Sequence, residues 1–488
     1  MGIVINQSIK NTVITYIGFV IGAANTLFMY PHFLGKEFYG LTGFVLSFAN
    51  VIMPLMAFGV QNTLVKFFSE YRSDEEKNGF LSYVLLLPLI VAIPILAICY
   101  FYYEDIAGYF ATKNPFIYDY FWQIPLIGLF MGYFEIFYAW VKVHLKSVFG
   151  TFAREVLLRL LITVGLFAVY FGWISAGSFI NLTLVIYFVI TLVMLVYAFQ
   201  VRNFKLHLNF PVNRKAVFRY SIFIILSGSV ANMLLDLDKT MMGKMIDIDN
   251  IAFYNVAIFI ATVISVPARA MHQIAYPITA KLMNDGKFGE LNDFYKKTSI
   301  TLQIVGGLVF VGILVNIKQI YLLLPPEYSQ GIFTVFVIGF SKYLDLILGN
   351  NNSIIFNSKY YKAVLFLGLA LAGVQVLLNL YMIPLMLIDG AALATLISIA
   401  LYSLAKLLFV VFRMKLFPFT VKTLYSFGIL LVTFGLFYFW DFSFHPIVNI
   451  LLKSVLVTVV YIVVNYKMKL SAEFNQVVDI ILKKIRLS

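Results

Sequence analysis

The sequence predicts an all-α polytopic membrane protein of about fourteen spanning helices, and three observations carry that reading. The first is composition: of 488 residues, 61% are hydrophobic and 12% charged. Soluble domains run at about 45–50% apolar and about 25% charged, so a soluble fold of this length cannot bury so much apolar surface and the solvent must be lipid. The second is run length, because a hydrocarbon core of about 30 Å takes about 20 helical residues and the apolar runs are of that order. The third is charge placement. Of 36 Lys and Arg, 26 fall in loops that alternate onto one side, 4 fall in the opposite loops and 6 lie within spans. By the positive-inside rule that bias places both termini in the cytoplasm, and one missed helix would have scrambled it.

In order, the expected spans are 12–30, 43–65, 80–101, 121–141, 156–173, 178–200, 220–243, 252–276, 299–317, 331–355, 363–385, 388–410, 423–440 and 447–466. The first opens after Lys10-Asn11 and closes at Tyr30-Pro31-His32 without a small-x-small cleavage site, so it reads as a retained helix. The interior spans are bounded by charge, Pro or Gly, with inner-side charges such as Arg214, Lys281, Lys362 and Lys415 between them. Pro54, Pro88, Pro94, Pro267 and Pro384 interrupt helices and read as hinges or static bends. The polar run Asn350-Asn351-Asn352-Ser353 is too costly to face lipid, so it lines an inner vestibule or packs between helices. The stretch Glu473 to Lys484, ahead of Arg486, alternates apolar and charged positions at helical spacing and reads as a short interfacial helix. No loop is long enough for a separate soluble domain. The net charge of +13 is explained by these inner loops and does not call for nucleic acid. The single cysteine, Cys99, sits in an apolar run and reads as a small buried hydrophobe, with no disulfide or metal site built on it.

Two outer-loop stretches look alike. Phe33-Leu34-Gly35-Lys36-Glu37-Phe38-Tyr39-Gly40 precedes span two, and Met242-Gly243-Lys244 with Ile251-Ala252-Phe253-Tyr254-Asn255 precedes span eight. Each following helix carries a proline, Pro54 or Pro267. The pattern implies a parallel duplication of spans one to six as seven to twelve. The expected organisation is an N-terminal lobe over 1–205, a C-terminal lobe over 206–415, two further helices over 416–470 and a cytoplasmic tail over 471–488.

These residues resemble the polysaccharide-transporter branch of the multidrug/oligosaccharidyl-lipid/polysaccharide exporter superfamily. That branch holds the O-antigen (Wzx-type) flippases and is related to the lipid II flippase. The match rests on Lys10-Asn11, Tyr30-Pro31 and Leu34 to Gly40; on Leu235-Asp236-Leu237-Asp238-Lys239 with Met242-Gly243-Lys244; on Ala252 to Ala257, where Ala252 replaces the usual Gly; on Ala275-Tyr276-Pro277; and on Asp389-Gly390-Ala391-Ala392-Leu393-Ala394-Thr395. The resemblance implies a two-lobed fold of the multidrug-exporter kind. It implies a flippase rather than an enzyme, moving polyprenyl-diphosphate-linked oligosaccharide (an O-antigen, capsule or exopolysaccharide repeat unit) from the inner to the outer leaflet by alternating access. The setting it implies is the bacterial cytoplasmic (inner) membrane. The chain is expected to act as a monomer among membrane lipids, with a glycan polymerase or glycosyltransferases as candidate partners. No cofactor is expected; a proton gradient, a sodium gradient or the membrane potential are the candidate driving forces.

A diphosphate headgroup calls for cations inside the bundle, and an ionisable residue within a span is costly unless it faces protein or water. The headgroup candidates are Arg269, Lys239, Lys342, His272 and Asn25. Arg269 in span eight can grip phosphate through two hydrogen bonds, or else form a structural ion pair. His272 lies one turn on and either titrates or only packs. Asn25 is, with Thr26, the polar content of span one, where the lipid II flippase is expected to carry charge. The coupling or ion-pair candidates are Glu135, Asp236, Asp238 and Asp345. Asp236 and Lys239, like Lys342 and Asp345, stand at i, i+3 and can pair. Glu135 reads as an unpaired intramembrane acid, with a bridge to Lys142 or to a second-lobe cation as the competing reading. Lys406 and Lys453 are expected to snorkel.

Two other classes compete with this reading. A drug exporter of the same superfamily would favour aromatic and acidic residues for cationic cargo. A membrane glycan polymerase or acyltransferase would carry a long outer loop with catalytic Arg or His; the longest outer loop, near 102–120, holds Glu104, Asp105 and Lys113 instead. No nucleophile–base pair, metal-ligand cluster or phosphate loop is recognisable.

Overall fold

A Ser at the start of an apolar run, followed three residues on by Glu, is a helix-start signal, and the structure uses it at the inner end of span three. Ser73 accepts from the Glu76 N–H and donates its own N–H to the Glu76 carboxylate, both at 3.1 Å. The computed structural model describes residues 2–207, 209–228 and 230–487. The side chains of Leu235, Lys362, Lys484 and Arg486, used above in the motif or charge map, lie outside the described ones.

The chain divides by its contacts into Met1–Asn255 and Val256–Ser488. The first unit begins with α1 (Gly2–Ala23), which passes through a π-helical stretch, Ala24–Leu34, into α2 (Gly35–Met56). There follow α3 (Val60–Phe67), α4 (Asp74–Phe101), two short helices α5 (Tyr103–Ala111) and α6 (Phe116–Tyr120), and α7 (Gln123–Val143). Next, α8 (Ser147–Phe152) runs through a second π-helical stretch, Ala153–Leu157, into α9 (Leu158–Tyr170). The unit closes with α10 (Ala176–Val201), α11 (Arg214–Gly228), α12 (Val230–Met245) and the start of α13 (Asp249–Thr262). The second unit continues through a 3₁₀ turn, Val263–Ser265, into α14 (Val266–Asn284), then α15 (Phe288–Tyr321), α16 (Ile332–Leu346) and α17 (Asn351–Phe356). Last come α18 (Tyr361–Phe409), α19 (Val421–Tyr438), α20 (Pro446–Lys467) and α21 (Ala472–Leu487).

Among the described residues nine stretches are long and apolar enough to cross a membrane. Two of them, Lys10–Met56 and Phe366–Met414, are 47 and 49 residues long; at about 1.5 Å per residue each is more than twice the bilayer core and must fold back. In α18 the reversal is at Leu387, with φ 53° and ψ −128°, between expected spans eleven and twelve. Gly390 permits it: a Cβ there would stand 2.0 Å from the Met382 carbonyl oxygen. Expected spans 156–173, 220–243 and 331–355 fall on helices that are shorter or divided, at α9, α11–α12 and α16–α17.

Large apolar side chains face outward as well as inward, and several polar and charged ones are buried. Ile90 and Ile93 of α4, Val432 of α19 and Val455 of α20 are exposed, whereas Asp238, Gln303, Lys406 and Lys453 are buried. Exposed aromatics end α4 (Tyr100, Phe101, Tyr102) and α9 (Tyr170, Phe171, Trp173) in the first unit, and fill the α19–α20 turn (Phe439, Trp440, Phe444) in the second. All three places are loops that the charge alternation puts on the side poor in Lys and Arg, as amphipathic rings at a membrane–water boundary would be. The chain is a multi-pass membrane protein.

Small residues set the helix seams. On α1, Gly18 and Gly22 form a G-x-x-x-G face; a Cβ at Gly18 would meet the Glu155 carbonyl oxygen at 2.4 Å, and one at Gly22 the Arg159 guanidinium at 2.7 Å. The two alike outer stretches are also alike in structure. Tyr39 is buried and donates to the Thr26 carbonyl at 3.3 Å; Tyr254 is buried and donates to the Asp238 carboxylate at 2.7 Å. Each ties the start of an even-numbered span to the helix before it.

The helices α11 and α12 are fastened to the first unit at both ends. At one end Thr63 and Ser221 share a hydrogen bond of 2.8 Å, and Tyr71 donates to Asn213 at 2.6 Å. Burial pushes the Tyr71 hydroxyl up to about 12, so it stays a donor at physiological pH. At the other end Asn114 donates to the carbonyls of Gly243 and Ile246 at 2.7 and 2.8 Å and accepts from Ile248 N–H at 2.9 Å. Lys36 pairs there with Asp249 at 2.9 Å and Lys113 with Asp247 at 3.4 Å. The contact boundary at Asn255 therefore follows packing, whereas the expected lobe boundary at 205 follows the duplication.

Candidate functional site

Charge inside a lipid-solvated bundle has to be held by protein, so the site is built from what holds each charge. In the second unit the 3₁₀ turn Val263–Ser265 and Pro267 interrupt the helix just ahead of Arg269, which therefore lies in the first turn of α14. A 3₁₀ turn in mid-span re-aims the side chains that follow it. Arg269 is exposed, and among the described residues it takes part in no hydrogen bond or ion pair. His272, one turn on, is half-buried and within electrostatic reach of Asp345 and Lys406.

Asp345 on α16 is the centre of this group. Its Oδ1 accepts from the Lys406 ammonium at 3.0 Å, from a helix 61 residues away. The i, i+3 neighbour Lys342 acts on Asp345 electrostatically but is not the residue bridged to it. Lys406 also donates to Asn352 Oδ1 at 3.1 Å and stands 4.4 Å from the Tyr402 ring centroid. Its side chain is 2% exposed, that of Asp345 47%. Lys406 therefore does not snorkel: a carboxylate, an amide oxygen and a π face inside the bundle replace water for its ammonium. Lys453 is buried and reaches Asp441 in the α19–α20 turn at 2.9 Å, so its ammonium meets a carboxylate at that boundary.

The polar run between α16 and α17 packs between helices. Asn350 donates to Thr279 at 2.8 Å and accepts from Thr298 at 3.0 Å. Asn351 donates to the Tyr295 hydroxyl at 2.6 Å, and Asn352 receives Lys406. The chain turns there at Gly349, φ 58°, where a Cβ would stand 2.7 Å from the Ser299 nitrogen. The run thus ties α14, α15 and α18 around the break that carries Asp345.

In the first unit the charges form a closed lattice. Glu135 has a partner, Arg154, at 3.1 Å, in place of the expected Lys142 or second-lobe cation. Arg154 also reaches Glu155 at 3.3 Å, and Glu155 pairs with Arg159 at 3.2 Å. Arg159 lies in the glycine groove of α1, donating to the Gly18 carbonyl. Tyr187 stands within electrostatic reach of both Arg159 and Asp236, and Asp236 pairs with Lys239 at 3.0 Å, as their i, i+3 spacing predicted. Asp238 is buried and engaged by Tyr254. Asn25 is 2% exposed, donates to the Arg159 carbonyl at 3.1 Å and accepts from Thr163 at 2.9 Å, so it fastens α1 to α9.

The structure thus brings Arg269, His272, Lys342 and Asp345 into one region of the second unit, and places Lys239, Asp236, Asp238, Glu135 and Asn25 in the first. Lys406, Asn352 and Tyr402 join the former, and Glu155 and Arg159 the latter. Glu155 was legible: it stands next to Arg154 and four residues before Arg159, a spacing that pairs on one helix face. Among the described residues no three His, Cys, Asp or Glu side chains come together as a metal site.

A family model described as polysaccharide biosynthesis protein matches residues 8–283. No curated protein sequence matches the chain. Among solved structures, the lipid II flippase MurJ in an inward closed conformation is similar at a TM-score of 0.74 and 15% identity, over 94% of this chain and 99% of that one. An inward-facing multidrug resistance MATE family transporter of the MOP superfamily is similar at 0.66 and 13%, over 82% and 94%. A MOP superfamily transporter from Pyrococcus furiosus, described as having a binding pocket of reverse polarity, is similar at 0.55 and 12%, over 85% and 95%. At these identities the likeness is one of fold, and the fold is that of flippases and transporters.

Proposed function

Because the chain belongs to the polysaccharide biosynthesis protein family, we propose that it is a flippase that carries polyprenyl-diphosphate-linked oligosaccharide from the inner to the outer leaflet of the bacterial cytoplasmic membrane. Both termini lie in the cytoplasm, and the carrier works by alternating access with the lipid tail left in the bilayer. The fold shared with a lipid II flippase supports the reading. The observation that carries it is the state of Arg269: exposed, at the end of a 21-residue run long enough to cross a membrane, and with no hydrogen-bond or ion-pair partner among the described residues. A guanidinium facing hydrocarbon is expensive; one facing a polar space is a ready bidentate donor for a phosphate.

Lys406 and Asp345 cancel in the same region, so the Arg269 guanidinium favours an anion there. Organic cations, the cargo of a drug exporter, would be repelled. An anion moved outward across a membrane that is negative inside gains about 2.3 kcal/mol per charge per 100 mV, so the membrane potential can drive a diphosphate in the proposed direction. The test is reconstitution in liposomes with undecaprenyl diphosphate carrying N-acetylglucosamine, read by an impermeant probe in the outer leaflet. Translocation without chemical change is expected. Modification of the probe, or no translocation by folded protein under either sign of potential, would remove the proposal.

A further inference from the structure

The ammonium of Lys406 has three donors, and Asp345 Oδ1, Asn352 Oδ1 and the Tyr402 ring face it within bonding or cation–π range. With a side chain 2% exposed it has nothing left to offer a ligand. Asp345 is built the other way. One of its oxygens is anchored by Lys406, its side chain is 47% exposed, and its Oδ2 meets no donor among the described residues. Among the described residues, the groups that act on Asp345 are Lys406, Lys342 on the same helix, and His272, which stands one turn from Arg269 on α14.

A carboxylate at a diphosphate site is a liability unless it meets a donor. At neutral pH a bridging diphosphate has no proton to give and is repelled, whereas a sugar hydroxyl donates well to a carboxylate oxygen. The sugar is also the part of the headgroup next to the phosphates.

We infer that Asp345 is the sugar-reading residue of the headgroup site: its Oδ2 accepts a hydroxyl of the phosphate-proximal sugar while Arg269 holds the diphosphate. Lys406 is a positioning residue that fixes the carboxylate through its other oxygen. The inference rests on the flippase reading and adds a specificity to it, selection for a sugar hydroxyl over a bare phosphate end.

The experiment compares two probes in the same liposomes, undecaprenyl diphosphate and undecaprenyl-diphosphate-N-acetylglucosamine. Asp345→Asn is expected to slow the sugar-bearing probe about tenfold or more, chiefly through a raised KM, as loss of a charged hydrogen bond does. The bare probe is expected to stay within about twofold or to speed up. Arg269→Ala should slow both. Asp345→Asn combined with Lys406→Met leaves no unpaired buried ammonium, and it carries the same test should the single variant fold poorly. Equal slowing of both probes by the folded variants, or slowing of neither, makes Asp345 a mere counter-ion for Lys406 and overturns the inference. A wild-type protein that moves neither probe overturns the flippase reading itself, a result distinct from either.

Discussion

The two units treat their membrane-embedded charges by opposite rules. In the first, Arg154, Arg159 and Lys239 are answered by Glu135, Glu155 and Asp236 in bridges of 3.0 to 3.3 Å, so the lattice is neutral. In the second, Lys406 bridges the Asp345 carboxylate, Lys342 acts on it electrostatically, and Arg269 takes part in no hydrogen bond or ion pair among the described residues. Neutral pairs inside a bundle satisfy one another and fix how helices meet. A guanidinium without a counter-charge, as at Arg269, raises the energy of the empty protein and is relieved by an anion that enters. The first arrangement is that of a scaffold and the second that of a site.

Three substitutions sharpen this contrast. The largest expected effect is on transport: Arg269→Ala should slow flipping of the lipid-linked sugar about 100-fold, since a bidentate charged contact is lost, with little change in thermal unfolding because no hydrogen bond or ion pair among the described residues is removed. Next is Glu155→Gln, which leaves Arg154 and Arg159 under-compensated. It should lower stability in detergent by about 2 kcal/mol, less than a fully buried pair because both partners are partly exposed, and slow flipping only in proportion to the folded fraction. A transport defect as large as that of Arg269→Ala in folded protein would show that the first unit also binds the headgroup. The smallest is Leu387→Gly. Leu387 holds a backbone conformation that suits glycine, so the change should raise stability by about 1 kcal/mol, visible as a higher unfolding temperature with transport unaltered.

The fold was largely legible because bilayer thickness and charge bias are global constraints that each helix must obey. The reversal at Leu387 falls between two expected spans because Asp389-Gly390 breaks the apolar run there. The partners of the charges were less legible, and for one reason. Sequence spacing sees a residue's own helix, so Asp236–Lys239 was found, but Asp345 takes Lys406 from another helix in preference to the nearer-in-sequence Lys342. Lys406 was expected to snorkel because position along a helix does not reveal the carboxylate waiting across the bundle. Asn25 looked like a cavity residue because span one offers so little polarity, yet its amide is used between α1 and α9. The π-helical stretches Ala24–Leu34 and Ala153–Leu157 have no sequence signature, and they lie where those two helices close on each other.

The central claim is that Arg269 faces a polar space where an anionic headgroup sits, and cysteine accessibility measures that directly. With Cys99, the single native cysteine, replaced by Ala, Arg269→Cys and Arg159→Cys proteins would be treated in liposomes with a charged, membrane-impermeant thiol reagent. Position 269 should label rapidly and be protected by undecaprenyl diphosphate, while position 159, set in the glycine groove of α1, should label slowly and show no protection. A thiol at 269 that the water-borne reagent cannot reach, or that diphosphate lipid fails to protect, would contradict the account.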